Sequence, residues 1–349
     1  LRKRISCGGP EIVTSKEVAQ QAGVSVSTVS HVVNGTRFVS DELKTRVQTA
    51  MVDLDYQPNR IAQSLRRRQT NSIGLIISDI TNPFFSEIAW SIEYLSFLEK
   101  YSLFLCSTNG VHEKEAFYIN QLSEWQVDGI ILISPKINPA YLKILDDRGI
   151  PFILVDNEST EGNFDVVKTD NFQGGKMATD HLIALGHKKI ACITGPYKYN
   201  ISYDRVEGYK SSLKENNIIV DEELILTGNF NSASGVQCAS IIFEMKEIPT
   251  AIFACNDQMA IGVIQSAAAH NLKVPDNISV VGFDDISLAR YLVPSLTTIR
   301  QPLHEIGEQA LQCMIEKIKD PHKNPRVITL NLRLEEREST KRIKQEILT

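Results

Sequence analysis

The chain has 349 residues, of which 42% are apolar and 23% charged, with a net charge of −5. That length suits two or three domains rather than one core, and the balance of side chains argues against wholesale disorder. The longest apolar runs, such as 73–77 and 129–133, are strand-length and far short of the ~20 residues of a membrane helix.

Residues 1–11 are basic and then glycine-rich, with no apolar run behind the basic start, so no export signal is expected. Thr14-Ser15-Lys16-Glu17 reads as a capping box opening a helix that stops at Ala22-Gly23. A second helix starts after Ser25 and runs to Asn34-Gly35. A third starts at Ser40, with Asp41 and Glu42 in its first turn and Leu43, Val47, Met51 and Leu54 on one face. A short helix over 59–66 follows Tyr56-Gln57-Pro58 and leads through Arg67 and Arg68 into the larger region. From Ser72 the pattern changes. Buried strands are predicted at 73–77, 103–106, 129–134, 152–156, 189–194, 224–227, 251–254 and 280–284. Helices are predicted between them at 85–99, 113–126, 140–148, 174–185, 204–216, 234–243 and 258–270. This alternation implies mainly parallel sheets with helices on both faces, and the break near 165 implies two similar lobes.

Charge is unevenly spread. Residues 1–70 carry eleven Lys and Arg against six Asp and Glu (+5), and the remainder twenty-six against thirty-six (−10). A basic head on an acidic body points to nucleic acid as the head's partner. Six cysteines (Cys7, Cys106, Cys192, Cys238, Cys255, Cys313) are scattered, without a C-x-x-C pair or a histidine at metal spacing. Neither a disulfide framework nor a metal is expected, and isolated thiols suit a reducing cytosol. In the head, Ala19 is small where two helices would cross, Gly23 supplies the turn, and Val24, Val29 and Val32 have the spacing to anchor the second helix. Val26, Ser27, Thr28 and His31 are left facing outward, as a helix-turn-helix presents them to a major groove. A three-helix protein-binding domain is the other reading, and the positive charge argues against it.

These residues resemble the head of the lactose-repressor (LacI/GalR) family of bacterial transcription regulators. Thr28-Val29-Ser30-His31-Val32-Val33-Asn34, Thr36-Arg37-Phe38-Val39-Ser40 and Pro58-Asn59-Arg60-Ile61-Ala62-Gln63-Ser64-Leu65 match its pattern. In the body, Asp79-Ile80-Thr81-Asn82-Pro83-Phe84-Phe85, Asn256-Asp257-Gln258-Met259-Ala260, Gly282-Phe283-Asp284-Asp285 and Leu296-Thr297-Thr298-Ile299-Arg300-Gln301-Pro302 continue it. The resemblance spans about 12–338 and is nearest the ribose- and purine-repressor branch; residues 1–11 have no counterpart. It implies three segments: a helix-turn-helix head at 12–58, a hinge helix and linker at 59–71, and an α/β body at 72–338. The body would be periplasmic-binding-protein-like, two lobes about an effector cleft, crossed near 170, 300 and 327. A dimer is expected, because one head reads only a half-site. Tetramers in the family use a C-terminal leucine-heptad helix, for which 341–349 is too short.

Parallel sheets bind ligands beyond the C-terminal ends of their strands. The candidates there are Asn82, Phe84, Phe85, Asp156, Arg205, Phe230, Asn256, Asp257, Asp284 and Gln301. Carboxylates and a guanidinium take vicinal hydroxyls, aromatic faces cover the C–H side of a sugar, and no glycine-rich phosphate cradle accompanies them, so a neutral monosaccharide effector is expected. Asp257 reads equally as a helix cap, Asp156 as a turn, and Arg205 as a surface charge; one of Phe84 and Phe85 should face the core. Asp170 and Asn171 read as hinge packing, and His181 and His187 as structural. Gly174-Gly175-Lys176 lacks the following Ser/Thr of a phosphate loop, and no G-x-S-x-G, H-E-x-x-H or G-x-G-x-x-G occurs. A repressor without enzymatic activity or cofactor is therefore preferred to a sugar-transport protein or an enzyme.

On DNA, Val26, Ser27 and His31 should read bases, with Thr28, Asn34, Arg60 and Arg66 on phosphate. Helix 59–66 is too short to persist alone and should fold over the operator. In the family the residue matching Leu65 wedges into the minor groove; packing between paired hinge helices is the other role open to it. The wedge predicts that Leu65→Ala abolishes the operator bend while leaving non-specific affinity and its salt slope nearly unchanged. In a circular-permutation bending assay, an equal kink for variant and wild type leaves only the packing role.

Overall fold

The computed structural model describes residues 13–56, 69–134, 136–157 and 164–343. The expected hinge helix, with Arg60, Leu65 and Arg66, lies outside them. The chain divides into two units, Leu1–Thr70 and Asn71–Thr349.

The first unit holds three helices, α1 (Ser15–Ala22), α2 (Val26–Asn34) and α3 (Asp41–Asp53). Glu17 reaches back to the amide and hydroxyl of Thr14, at 2.6 and 2.8 Å, which fixes the start of α1. Gly23, at φ +62°, ends it, and Arg46 of α3 donates to the freed Ala22 carbonyl at 2.6 Å. Val18, Ala19, Ala22, Val29, Val47 and Ala50 form the buried core, with Val24 and Val32 packed at its margin.

The second unit is built on two six-stranded sheets. The first lobe comprises β1 (Ser72–Ile77), α4 (Pro83–Leu98), β2 (Ser102–Ser107), α5 (His112–Glu124), β3 (Gly129–Ile133), α6 (Pro139–Asp147), β4 (Phe152–Val155) and β5 (Asp165–Thr169). In the second lobe are α7 (Asn171–Ala184), β6 (Ile190–Thr194), α8 (Asn200–Glu215), β7 (Ile225–Thr227), α9 (Ser232–Phe243), β8 (Ala251–Ala254), α10 (Asp257–Ala269), β9 (Ser279–Asp284) and β10 (Thr297–Arg300). The chain then returns: α11 (Leu303–Lys319) packs on α4 and the first sheet, β11 (Val327–Leu330) pairs with β5, and β12 (Arg333–Glu335) closes the second sheet. Strand orders are β11-β5-β4-β3-β1-β2 and β12-β10-β9-β8-β6-β7, parallel throughout except for β12 on β10. The central strands β3, β4 and β8 carry no polar side chain because both of their faces are covered. Ile130 and Leu132 of β3 pack toward α5 and α6, whereas Ile131 and Ile133 belong to the core beneath α4.

The passages between lobes fall at residue 170, at 301–302 and at 331–332. The third lies past the expected 327, because 327–330 still belongs to the first sheet. Strand β2 is not buried as expected: Phe104 and Leu105 are exposed, since β2 is an edge strand paired only with β1. With the outer face of α4 (Trp90, Tyr94, Phe97, Leu98) and Trp125, these side chains leave a broad apolar surface on the first lobe. Within it Trp90 stacks on Tyr94 and Phe104 meets Trp125. Among the described residues no helix is long and apolar enough to cross a membrane, and no cluster of ligands suits a metal.

Helices α7 and α8 approach closely through two glycines. A Cβ at Gly175 would collide with the Arg205 carbonyl, and one at Gly208 with the Phe172 carbonyl. Gly208→Ala must therefore separate the helices, with an expected loss of about 1–3 kcal/mol of stability. A denaturant melt coincident with wild type would show that this approach is not limiting.

Candidate DNA-reading face and interlobe cleft

At the start of α2, Ser25 caps the helix: its hydroxyl oxygen accepts the Thr28 amide at 3.1 Å and lies 2.7 and 2.9 Å from the hydroxyls of Ser27 and Thr28. Val26, Ser27 and Thr28 thus occupy the first turn, where free amides and the positive helix end favour phosphate. Val26 is 43% exposed, which suits contact with a thymine methyl. His31 lies one turn on, with Nδ1 2.8 Å from the Thr36 hydroxyl and Nε2 left for an outside partner. Asn34 ends the helix, its Nδ2 donating to the Ser30 carbonyl at 2.7 Å.

In the body, the C-terminal ends of the two sheets face each other. The Ser287 amide of the second lobe donates to Glu87 of α4 at 2.8 Å, and Tyr199 of the second lobe lies close to Gly110 of the first. Arg205, on α8, is 2% exposed. Its Nε donates to Asn171 Oδ1 at 2.8 Å, Nη1 donates to the Cys255 carbonyl at 2.5 Å, and the guanidinium lies 3.7 Å over the Phe283 ring. Asp284 ends β9 at φ +119°, with Oδ1 3.9 Å from Arg205 Nη1 and accepting from Gln301 Nε2 at 2.9 Å. Gln301 in turn accepts from the Thr169 hydroxyl at 2.8 Å, a link between two of the lobe crossings. Among the described residues, Arg205 Nη2 and Asp284 Oδ2 have no partner. Each residue of this pair therefore keeps hydrogen-bonding capacity that the described residues do not use.

Phe230 is held at φ +57°, its carbonyl accepting from Asn256 Nδ2 at 3.0 Å, while its ring covers Gly195 and stacks with Tyr199 at 6.4 Å. Phe85 is half-buried and meets Phe84 edge-on at 5.1 Å. Asp156 closes β4 at φ +54°, its amide bonded to the Val167 carbonyl. Asn82 caps α4 through Oδ1.

Three of the expected ligand contacts have other tasks. Asp257 is fully buried: Oδ1 accepts from Thr298 at 2.5 Å and Oδ2 from the Ile286 amide at 2.9 Å, so both oxygens are used within the second lobe. Burial first, and then the charge of Asp284, push its carboxyl well above the usual range. Asn256 caps α10 with Oδ1 and fixes the Phe230 carbonyl with Nδ2. Phe84 is the core member of its pair. Conversely, Asn171, read as hinge packing, orients Arg205, and Tyr199 and Phe283 join the site without a sequence signal of their own beyond their place after a strand or at its end.

Burial pushes the Asp284 carboxyl up to about 6, against the opposing pull of Arg205 and the Gln301 hydrogen bond; the Glu87 charge adds to the rise. The folded protein then keeps this proton to higher pH than the unfolded chain, whose aspartates titrate near ~4. Raising pH from about 4 to about 6 should therefore remove stability from wild type relative to Asp284→Asn. Calorimetric melts of the two proteins from acid to neutral pH provide the check, and a constant difference across the window would refute it.

Comparison with known proteins bears on both halves. The model of the lacI family of bacterial regulatory proteins matches residues 14–59, and a periplasmic binding protein-like domain matches 179–340. The chain is 38% identical over 331 residues to the HTH-type transcriptional repressor PurR of Vibrio atlanticus (strain LGP32), covering 95% of this chain and 99% of that one. Among solved structures, the lac repressor dimer bound to operator and an anti-inducer matches with a TM-score of 0.84 and 27% identity, over 95% of this chain and 100% of the other. A LacI family regulator from Enterococcus faecium with bound ribose matches with a TM-score of 0.72 and 32% identity, over 78% and 100%. Since the likeness runs through head and body alike, the chain belongs to the lacI family of bacterial regulatory proteins and is a transcriptional repressor.

Proposed function

We propose that this repressor governs a sugar-utilisation operon and that its effector is a ribose-like monosaccharide held in the interlobe cleft. The observation that carries this reading is the open pair formed by Arg205 Nη2 and Asp284 Oδ2. A donor beside an acceptor suits two vicinal hydroxyls, and their opposite charges leave little net attraction for a phosphate. Phe230, Tyr199 and Phe85 supply aromatic faces for the C–H side of the ring. The ribose-bound relative supports the same class of ligand. Asp156 adds to the proposed polar lining, and Gln301 stands behind Asp284, holding its Oδ1. The protein works by binding rather than catalysis and needs no cofactor.

On DNA, Val26, Ser27 and His31 meet base edges, and Thr28, Arg60 and Arg66 meet phosphate, with Leu65 in the minor groove. A second copy of the chain covers the apolar surface of α4 and β2, so that two heads read a pseudo-palindromic operator. Operator binding is work for the cytoplasm.

Calorimetry with pentoses, hexoses and purine bases, beside gel shifts on DNA upstream of the protein's own gene and its neighbours, tests the reading. One pentose per chain should bind and alter operator affinity. Arg205→Ala should bind operator as wild type does, yet need about 10- to 100-fold more sugar, since each buried group left unpaired costs about 1–3 kcal/mol. A purine base binding in place of any sugar, or Arg205→Ala responding at wild-type concentrations, would overturn it.

A further inference from the structure

Away from the crossovers, a hydrogen bond joins the lobes: Glu87 Oε1 accepts the Ser287 amide at 2.8 Å. Its two ends are both firmly seated. Glu87 lies on α4 one turn beyond Asn82, and α4 is fixed to the first lobe through Ser91, which donates to the His304 carbonyl of α11 at 3.1 Å. Gly307 lies close enough to Ser91 that a Cβ there would crowd it, at 2.8 Å. Ser287 ends a four-residue turn in which every member is tied. Asp284 is bonded to Gln301, Asp285 to Arg337 at 2.5 Å, the Ile286 amide to Asp257, and the Ser287 amide to Glu87. The first three ties come from the second lobe or its edge, and the last comes from the first lobe. Asp284 and Asp285 both sit at positive φ, +119° and +57°. This backbone has little freedom to absorb a pull at Ser287 without moving Asp284.

We infer that Glu87 is a positioning residue for the effector response, latching the first lobe onto the turn that carries Asp284 and so setting how readily the cleft closes on a ligand. The inference rests on the cleft being the effector site. Glu87 need not touch the sugar. Separating the lobes breaks its bond to Ser287, so the bond favours the arrangement in which groups from both lobes reach one ligand. A latch of this kind changes the population of the binding-competent form and scales the affinity of every cleft ligand by the same factor. A direct contact would instead reorder the sugars.

The test uses the full chain as Glu87→Ala and Glu87→Gln, the second retaining an acceptor oxygen in place of Oε1. Hydrogen exchange of peptides spanning 284–290 is measured without ligand, and binding of ribose and two other pentoses is measured by calorimetry. Wild type and Glu87→Gln should protect the Ser287 amide and bind alike. Glu87→Ala should lose that protection and bind all three sugars more weakly by a common factor, on the order of tenfold, as for loss of one hydrogen bond that leaves its partner amide unpaired. Equal exchange in wild type and Glu87→Ala, a change confined to one sugar, or Glu87→Gln behaving as Glu87→Ala would each overturn the latch. Failure of wild type to bind any sugar would instead sink the effector reading, while the exchange comparison would still decide whether the latch exists.

Discussion

The second lobe is organised around a charge that water does not reach. Arg205 is 2% exposed, and a guanidinium so buried is tolerated only where its hydrogens and its charge are met. Asn171 at the start of α7 and the Cys255 carbonyl beyond β8 take hydrogens of Nε and Nη1, and the Phe283 ring and the Asp284 carboxylate on β9 meet the charge. Those four groups come from three separate places in the chain, the start of α7, the end of β8 and the end of β9, so the lobe must assemble before the charge is satisfied. The close glycine contacts between α7 and α8 follow from the same need, because a wider spacing would draw Arg205 away from Asn171.

From Arg205 the constraint passes toward the hinges. Asp284 is bonded to Gln301, where the chain leaves the second lobe, and Gln301 is bonded to Thr169, where the chain enters it. The polar groups offered to a ligand are thus continuous with the segments about which the lobes turn. A ligand that draws on Arg205 and Asp284 has differential contact with different lobe arrangements, which is the condition for coupling a distant event to binding. The strained turn at Asp284 and Asp285 is stabilised by the ion pair between Asp285 and Arg337.

Local chemistry carried much of this into the sequence. Ala19, Gly23 and Val29 mark the helix-turn-helix because steric bottlenecks there admit few residue types, and the structure buries Ala19 and Val29 and gives Gly23 its positive φ. Other features were less legible. Phe104 and Leu105 look as buried as Ile130 and Ile131, yet β2 ends up at an edge, since apolar content does not encode which strand lacks a neighbour. Helix α11 escaped the strand–helix reading although Leu303, Ile306, Ala310, Leu311 and Met314 recur at helical spacing, and its place in the first lobe depends on a crossing that no local pattern announces.

Asp257 and Asp284 show where the boundary lies. Each is an aspartate at or just past the end of a buried strand, next to a turn, and by sequence they are equivalent candidates. Residue types and their periods determined that the chain has a helical head, two parallel α/β lobes, and a set of polar side chains at the strand ends, because hydrogen-bonding capacity, helix and strand periods and turn chemistry act over a few neighbouring residues. Tertiary structure decided that Asp257 is enclosed by Thr298 and the Ile286 amide while Asp284 is bonded through one oxygen only, and that Asn171 rather than Asn256 orients the arginine. Those outcomes depend on which groups from distant segments arrive within about 3 Å, the reach of a hydrogen bond, and that reach is set by packing across the whole lobe rather than by the residues on either side.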